Sequence, residues 1–121
     1  MKGIGIDLCA IARMERIMTE GFLARYYTQE ERDYITSKGK TGAQSAAAMF
    51  AAKEAFLKAC GAGIGTGIAL NEISVDHLAG GAPQYRLAGA ALDKMRAMGA
   101  SCAWLSLTHE DGMAAAVCVI D

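Results

Sequence analysis

The chain has 121 residues, 53% of them hydrophobic, and a formal net charge of −1. That length suits one domain with a real core, yet is small enough for burial between copies to add stability. The near-neutral balance provides no global field to recruit nucleic acid or an anionic membrane, so an acidic partner has to meet a local basic patch.

No apolar run reaches the length of a membrane span, and Asp7 interrupts the N-terminal segment too early for a signal peptide, so a cytoplasmic location is expected. Cys9, Cys60, Cys102 and Cys118 contain no C-x-x-C pair and lie in apolar surroundings. They read as reduced core thiols rather than a metal site or disulfide framework.

Along the chain, Ile4, Ile6 and Leu8 alternate with Gly3, Gly5 and Asp7, predicting a strand that ends at Asp7 and whose glycine face leaves its backbone open to approach. Ile11, Met14, Ile17 and Met18 recur at helical spacing up to Gly21, with Arg13, Glu15 and Arg16 between them. Thr28-Gln29-Glu30-Glu31 is a capping-box pattern that opens a helix running out near Lys38-Gly39-Lys40. Strong helix formers fill Ala46 to Cys60, and Gly61 supplies the left-handed stop.

Glycine then alternates from Gly61 to Gly67 in a loop whose amides could face an anion, although its spacing is neither a Walker pattern nor a dinucleotide fingerprint. Ile73 and Val75 mark a strand, His77 to Pro83 a turn region, and Gln84 to Leu87 a second strand. A helix from Ala88 to Met98 ends at Gly99. Ala103 to His109 alternates again, and Asp111-Gly112 turns the chain into Met113 to Ile120 as a closing hairpin. This order predicts a single α+β domain over residues 1–121, a mainly antiparallel sheet packed against one long helix and shorter helices.

The charges on the long helix are the unusual feature. On a wheel, Met49, Phe50, Phe56, Leu57 and Cys60 share one arc with Lys53 inside it, while Glu54 and Lys58 sit one turn apart beyond its edge. Glu54 and Lys58 are open to two readings, an ordinary i, i+4 contact worth a few tenths of a kcal/mol or part of a site. Lys53 needs a partner or a route to water, because a buried ammonium is costly. Asp7 and Glu54 are the carboxylates least like solvated surface, and two carboxylates with water and phosphate oxygens are the usual holding for Mg²⁺. For Asp7, a strand-end cap is the alternative.

Gly3-Ile4-Gly5-Ile6-Asp7, Arg13, Phe22 to Thr28 with Glu31, Phe50-Ala51-Ala52-Lys53-Glu54-Ala55-Phe56-Leu57-Lys58-Ala59, Gly61 to Ile64, Ser106-Leu107-Thr108-His109 and Ala114 to Val117 together resemble the ordered signatures of bacterial holo-(acyl-carrier-protein) synthase, the short phosphopantetheinyl transferase family. The resemblance implies the 4′-phosphopantetheinyl transferase fold and transfer of 4′-phosphopantetheine from coenzyme A to a serine of apo acyl carrier protein, releasing adenosine 3′,5′-bisphosphate, as in fatty acid biosynthesis. It implies that Asp7 and Glu54 bind Mg²⁺ and that Lys58 is the cation beside the reacting phosphate. Glu54, or a water on the Mg²⁺ that it orients, would accept the serine proton, with Asp7 the competing choice. Thr108 and His109 would meet the adenosine 3′-phosphate, Lys53 would lie along the nucleotide, and the loop with Gly61 and Gly63, together with Pro83, would pass close to it. Arg13 and Arg25, with Arg16 a weaker candidate, would meet the carrier. A homotrimer with sites between subunits is also implied.

Three positions depart from the family pattern: Met49 and Ala82 stand where a cation is common, and Gly21 where a basic residue commonly precedes Phe22. Fewer contacts to coenzyme A phosphates are expected, with Lys38 or Lys40 available to compensate. The departures support a second reading, a non-catalytic homologue that binds coenzyme A or the carrier. A third, a structural trimeric domain, gives no reason to keep Asp7 on a glycine-lined face.

Overall fold

The computed structural model describes residues 1–63 and 66–121; Ile64 and Gly65 of the glycine-rich loop lie outside the described residues. Its elements are β1 (Gly3–Ala10), α1 (Ile11–Ile17), α2 (Glu20–Tyr26), α3 (Gln29–Ser37), α4 (Gly42–Ala59), β2 (Ile73–His77), β3 (Pro83–Leu87), α5 (Gly89–Ala97), β4 (Ala103–Glu110) and β5 (Met113–Ile120). Short 3₁₀ turns precede α4 and β2.

The strands form an antiparallel three-stranded sheet of order β1-β5-β4 and a β2-β3 hairpin. The β4-β5 turn places Asp111 and Gly112 at φ 51° and 78°, the left-handed pair a two-residue hairpin needs. The capping box of α3 is present in both directions: Glu31 N–H donates to Thr28 Oγ1 at 3.2 Å, and Thr28 N–H to Glu31 Oε1 at 2.9 Å.

Helix α4 is the axis of the molecule. Ala46, Ala47, Ala51, Ala52 and Ala55 are fully buried along it, so neighbouring backbones can approach closely. Strand β1 does so through its glycines: a Cβ at Gly3 would collide with the carbonyl oxygen of Ala59, and one at Gly5 with that of Ala55. The glycine face expected to admit a ligand is therefore filled by α4. Two tyrosines, Tyr27 buried and Tyr85 partly buried, fasten the helix from other sides, Tyr27 donating to Ala46 O at 2.7 Å and Tyr85 to Ala52 O at 2.6 Å. Burial raises both phenols far above their ordinary value, which keeps their protons on these bonds.

Three local expectations need correction. Asp7 does not end its strand; β1 continues to Ala10 and pairs Asp7 with Ala116 of β5. Gly21 does not stop a helix either. The chain breaks at Met18, and Thr19 caps a separate α2 by accepting from Phe22 N at 3.2 Å, with Gly21 inside it. The long helix also starts a turn earlier than Ala46, at Gly42.

The two faces of the three-stranded sheet differ. Gly5, Cys9, Ala114, Ala116, Cys118 and Ile120 face α4 and the core, whereas Ile4, Ile6, Leu8 and Trp104 are about 60% exposed (59, 66, 62 and 62%). Register aligns Ile4, Val119 and Trp104 in one row and Ile6, Val117 and Ser106 in the next, so the exposed residues form a continuous apolar surface. Cys9, Cys60 and Cys118 lie in the core and Cys102 is half-buried; all four thiols are free. Burial, foremost, pushes the Cys118 thiol up to about 11.

Candidate active site

The close packing of β1 on α4 brings Asp7 against the C-terminal half of the helix. Lys58, the penultimate residue of α4, reaches across so that its Nζ lies 2.9 Å from Asp7 Oδ1 and 3.2 Å from the carbonyl oxygen of Ile6. The i, i+4 pairing of Glu54 with Lys58 is therefore replaced by a contact between elements. Lys58 is exposed, and its ammonium is raised above the ordinary value by the Asp7 hydrogen bond and then by its charge.

Glu54, one turn before Lys58, lines an apolar groove of about 460 Å³ with Phe22, Tyr26, Phe50, Leu57 and Leu70. Its Oε1 is buried with no hydrogen-bond partner among the described residues. Burial first, and the charge of Asp7 second, raise its pKa above the usual carboxylate range, against a smaller lowering by Lys58. A carboxylate with an orphaned oxygen beside a second carboxylate is a donor set suited to a hard cation. Among the described residues no group of three or more His, Cys, Asp or Glu side chains stands together, so Asp7 and Glu54 leave most of an octahedral ion to water and substrate oxygens. The residues present fit Mg²⁺.

Lys53 is a correction. It is fully buried on the opposite side of α4 from solvent, with Nζ 2.8 and 3.0 Å from the two oxygens of Glu31, 2.8 Å from Ile73 O and 3.1 Å from Leu70 O. Glu31 also accepts from Val75 N at 3.0 Å. The ammonium's three donors are thus occupied, so it binds α3, α4 and the start of β2 together instead of a nucleotide.

The other expected site residues lie apart. Arg25 stands at the rim of the Glu54 groove, its guanidinium 5.3 Å above the Tyr26 ring, and Arg13 and Arg16 are exposed on α1. Gly61, at φ 66°, borders a cavity between the end of α4 and α5; Gly63 follows it in the loop. Pro83 opens β3 and lines an apolar cavity of about 440 Å³ between β3 and β4 with Tyr85, Leu92 and Trp104. Thr108 and His109 line a small cavity of about 120 Å³ against Gln44, Ser45 and Met49 of α4. Gln44 precedes Glu54 by ten residues, about 15 Å along the axis, so one chain does not bring this cavity to the carboxylates. Of the two remaining departures, Ala82 lies in the β2-β3 turn and Gly21 at the exposed start of α2. Gln44, Ser45 and His77, which share that cavity, carried no motif in the sequence.

The family profile of the 4′-phosphopantetheinyl transferase superfamily matches residues 3–118. A holo-[acyl-carrier-protein] synthase of Treponema denticola is 42% identical over 120 residues, covering 98% of this chain and 97% of its own. The crystal structure of holo-[acyl-carrier-protein] synthase from Neisseria meningitidis superimposes with a TM-score of 0.87 at 34% identity, covering 100% of this chain and 98% of that one. The Helicobacter pylori synthase, solved in complex with coenzyme A, gives 0.82 at 32% identity, with 98% and 99% covered.

Proposed function

Because the chain belongs to the 4′-phosphopantetheinyl transferase superfamily, we propose that it is a holo-(acyl-carrier-protein) synthase, a single-domain cytoplasmic enzyme that transfers 4′-phosphopantetheine from coenzyme A to a serine of apo acyl carrier protein and releases adenosine 3′,5′-bisphosphate. The observation that carries this reading is the triad Asp7, Glu54 and Lys58, two carboxylates and a cation gathered where β1 meets α4.

Attack by a serine hydroxyl on the β-phosphorus of coenzyme A forms a new P–O bond and breaks the bond to the bridging oxygen, which leaves with the nucleotide. Charge grows on the phosphoryl and leaving oxygens. Mg²⁺, held by Asp7 and Glu54, would supply charge neutralisation there. Lys58 provides a second fixed positive charge, oriented by Asp7 and free on its solvent side to meet the leaving oxygen. Glu54 accepts the serine proton; its raised affinity for a proton, and the absence of a donor on Oε1 among the described residues, suit that role. Arg25, beside the same groove, and Arg13 form the basic docking side for an acidic carrier, so their effect falls mainly on association rate.

The exposed apolar face of the β1-β5-β4 sheet supports assembly of three copies, since contiguous surfaces of this kind are uncommon on monomers. The separation of the Thr108–His109 cavity from Glu54 supports a site completed across that interface, with the coenzyme A nucleotide between copies. The testing experiment incubates the protein with apo acyl carrier protein, coenzyme A and Mg²⁺ and weighs the carrier by intact mass spectrometry. The carrier gains one phosphopantetheine unit; no gain, where a known transferase succeeds, overturns the reading.

A further inference from the structure

His77 ends β2 beside the β2-β3 turn, where the sequence offers nothing but a turn signal. Its imidazole is stacked on Tyr34 of α3, with ring centroids 3.9 Å apart and planes 2° from parallel, and Lys38 Nζ lies 4.8 Å from the Tyr34 centroid. Stacking of this kind fixes the plane of a side chain that is only half-buried. The fixed ring forms a wall of the small cavity that also holds Thr108, His109, Gln44 and Ser45.

That cavity has the volume for a phosphate-sized group and four neighbours besides His77 that carry hydrogen-bonding side chains. Among the described residues lining it, none is lysine or arginine; Met49 occupies the place on α4 where a cation is common in the family. An anion here has to be held by hydroxyls, an amide and imidazoles. On the reading that Thr108 and His109 meet the ribose 3′-phosphate of coenzyme A, we propose that His77 is a further binding residue for that phosphate monoester, donating an imidazole N–H from a ring held in place by Tyr34. Burial first, then the charge of Lys38, lower its pKa, against Asp76 and Glu31, and the imidazole carries at least one N–H to give in either protonation state. The compensation for Met49 thus comes from β2, through a residue type that discriminates by hydrogen-bond direction rather than by bulk charge.

The test measures KM and kcat of the full-length protein with coenzyme A and with 3′-dephospho-coenzyme A as donors. His77→Phe keeps a ring to stack on Tyr34 and removes the N–H. It raises KM for coenzyme A about tenfold, as expected for losing a hydrogen bond to a charged group, and leaves KM for the dephospho donor and both kcat values unchanged. His77→Gln, which restores an N–H donor, recovers part of the difference, and His77→Leu, which also lacks the donor, reads the KM ratio if the Phe variant folds poorly. An unchanged ratio of the two KM values overturns the proposal, whether both rise together or neither moves. Absence of transfer by the parent chain with either donor overturns the functional reading beneath it instead.

Discussion

Asp7 on β1 raises the pKa of Glu54 on α4, an effect second only to burial of the glutamate itself. Two carboxylates held in each other's field are an electrostatic liability in a folded chain unless a cation relieves it. Lys58 relieves Asp7 by direct contact, and Glu54 keeps an oxygen with no partner among the described residues.

Replacing Glu54 with Gln separates stability from activity. A carboxyl whose folded pKa lies above its unfolded value withdraws stability as pH rises from the unfolded to the folded pKa, and the deficit persists above it. Glutamine is neutral throughout. Without metal at pH 7, Glu54→Gln is therefore expected to melt at a higher temperature than the parent while transfer is lost; an equal or lower midpoint contradicts the burial argument. In the same spirit, Asp7→Asn removes one of the two raising influences, so carboxyl NMR of Glu54 should report a lower pKa in that variant.

Lys53→Met tests the reassignment of the buried lysine. Removing one partner of a buried pair leaves Glu31 charged and unmatched, at a cost of about 3–5 kcal/mol. Urea denaturation of Lys53→Met should show a loss of that order, and adding Glu31→Gln should recover much of it. A lysine that served only the nucleotide would instead weaken coenzyme A affinity without a change in midpoint.

What the sequence disclosed and what it concealed divide along one line. Local signals were legible: the capping box at Thr28 and Glu31, the Asp111-Gly112 turn, the Gly61 stop and the alternation of β4 each depend on neighbours in sequence. Lys53 was recognisable as anomalous, yet its partners Glu31 and Ile73 O are 22 and 20 residues away, and a wheel drawn on one helix cannot contain them. Alternation likewise divided β1 into two faces without saying which was inside. Alanines on α4 settled that by demanding glycine opposite, which turned the isoleucines outward. Asp7 and Glu54 were picked out by their settings, but the transfer of Lys58 from Glu54 to Asp7 depends on tertiary approach alone.

The outward isoleucines give a third test. Ile6 is 66% exposed midway along the edge strand β1, on the apolar face of the sheet. Ile6→Glu is expected to fold, because the side chain points away from the core, but to shift the mass measured by light scattering from three chains towards one. Transfer should fall with it, since the cavity at His109 and the carboxylates would no longer be supplied by neighbouring copies. A variant that remains assembled, or a monomer with parental activity, contradicts the proposed arrangement.

Gly5→Ala is a fourth. The added methyl meets the carbonyl of Ala55, a backbone atom that cannot rotate away. Overpacking of this kind costs about 1–3 kcal/mol or more, and denaturant midpoints should fall accordingly. Because Asp7 lies two residues further along the same strand face, the variant should also lose activity beyond what its folded fraction explains; parental activity per folded molecule would show that strand and helix can separate without harm.

The glycines of β1 act as a ruler. Asp7 and Lys58 are separated by a distance that neither residue sets for itself, because it is fixed by how near two backbones lie where Gly5 meets Ala55. Altering the charged groups changes what the site contains, whereas altering the small ones changes where its halves stand. Two hydrogen atoms, in place of methyls at residues 3 and 5, thus define the spacing of the charges above them.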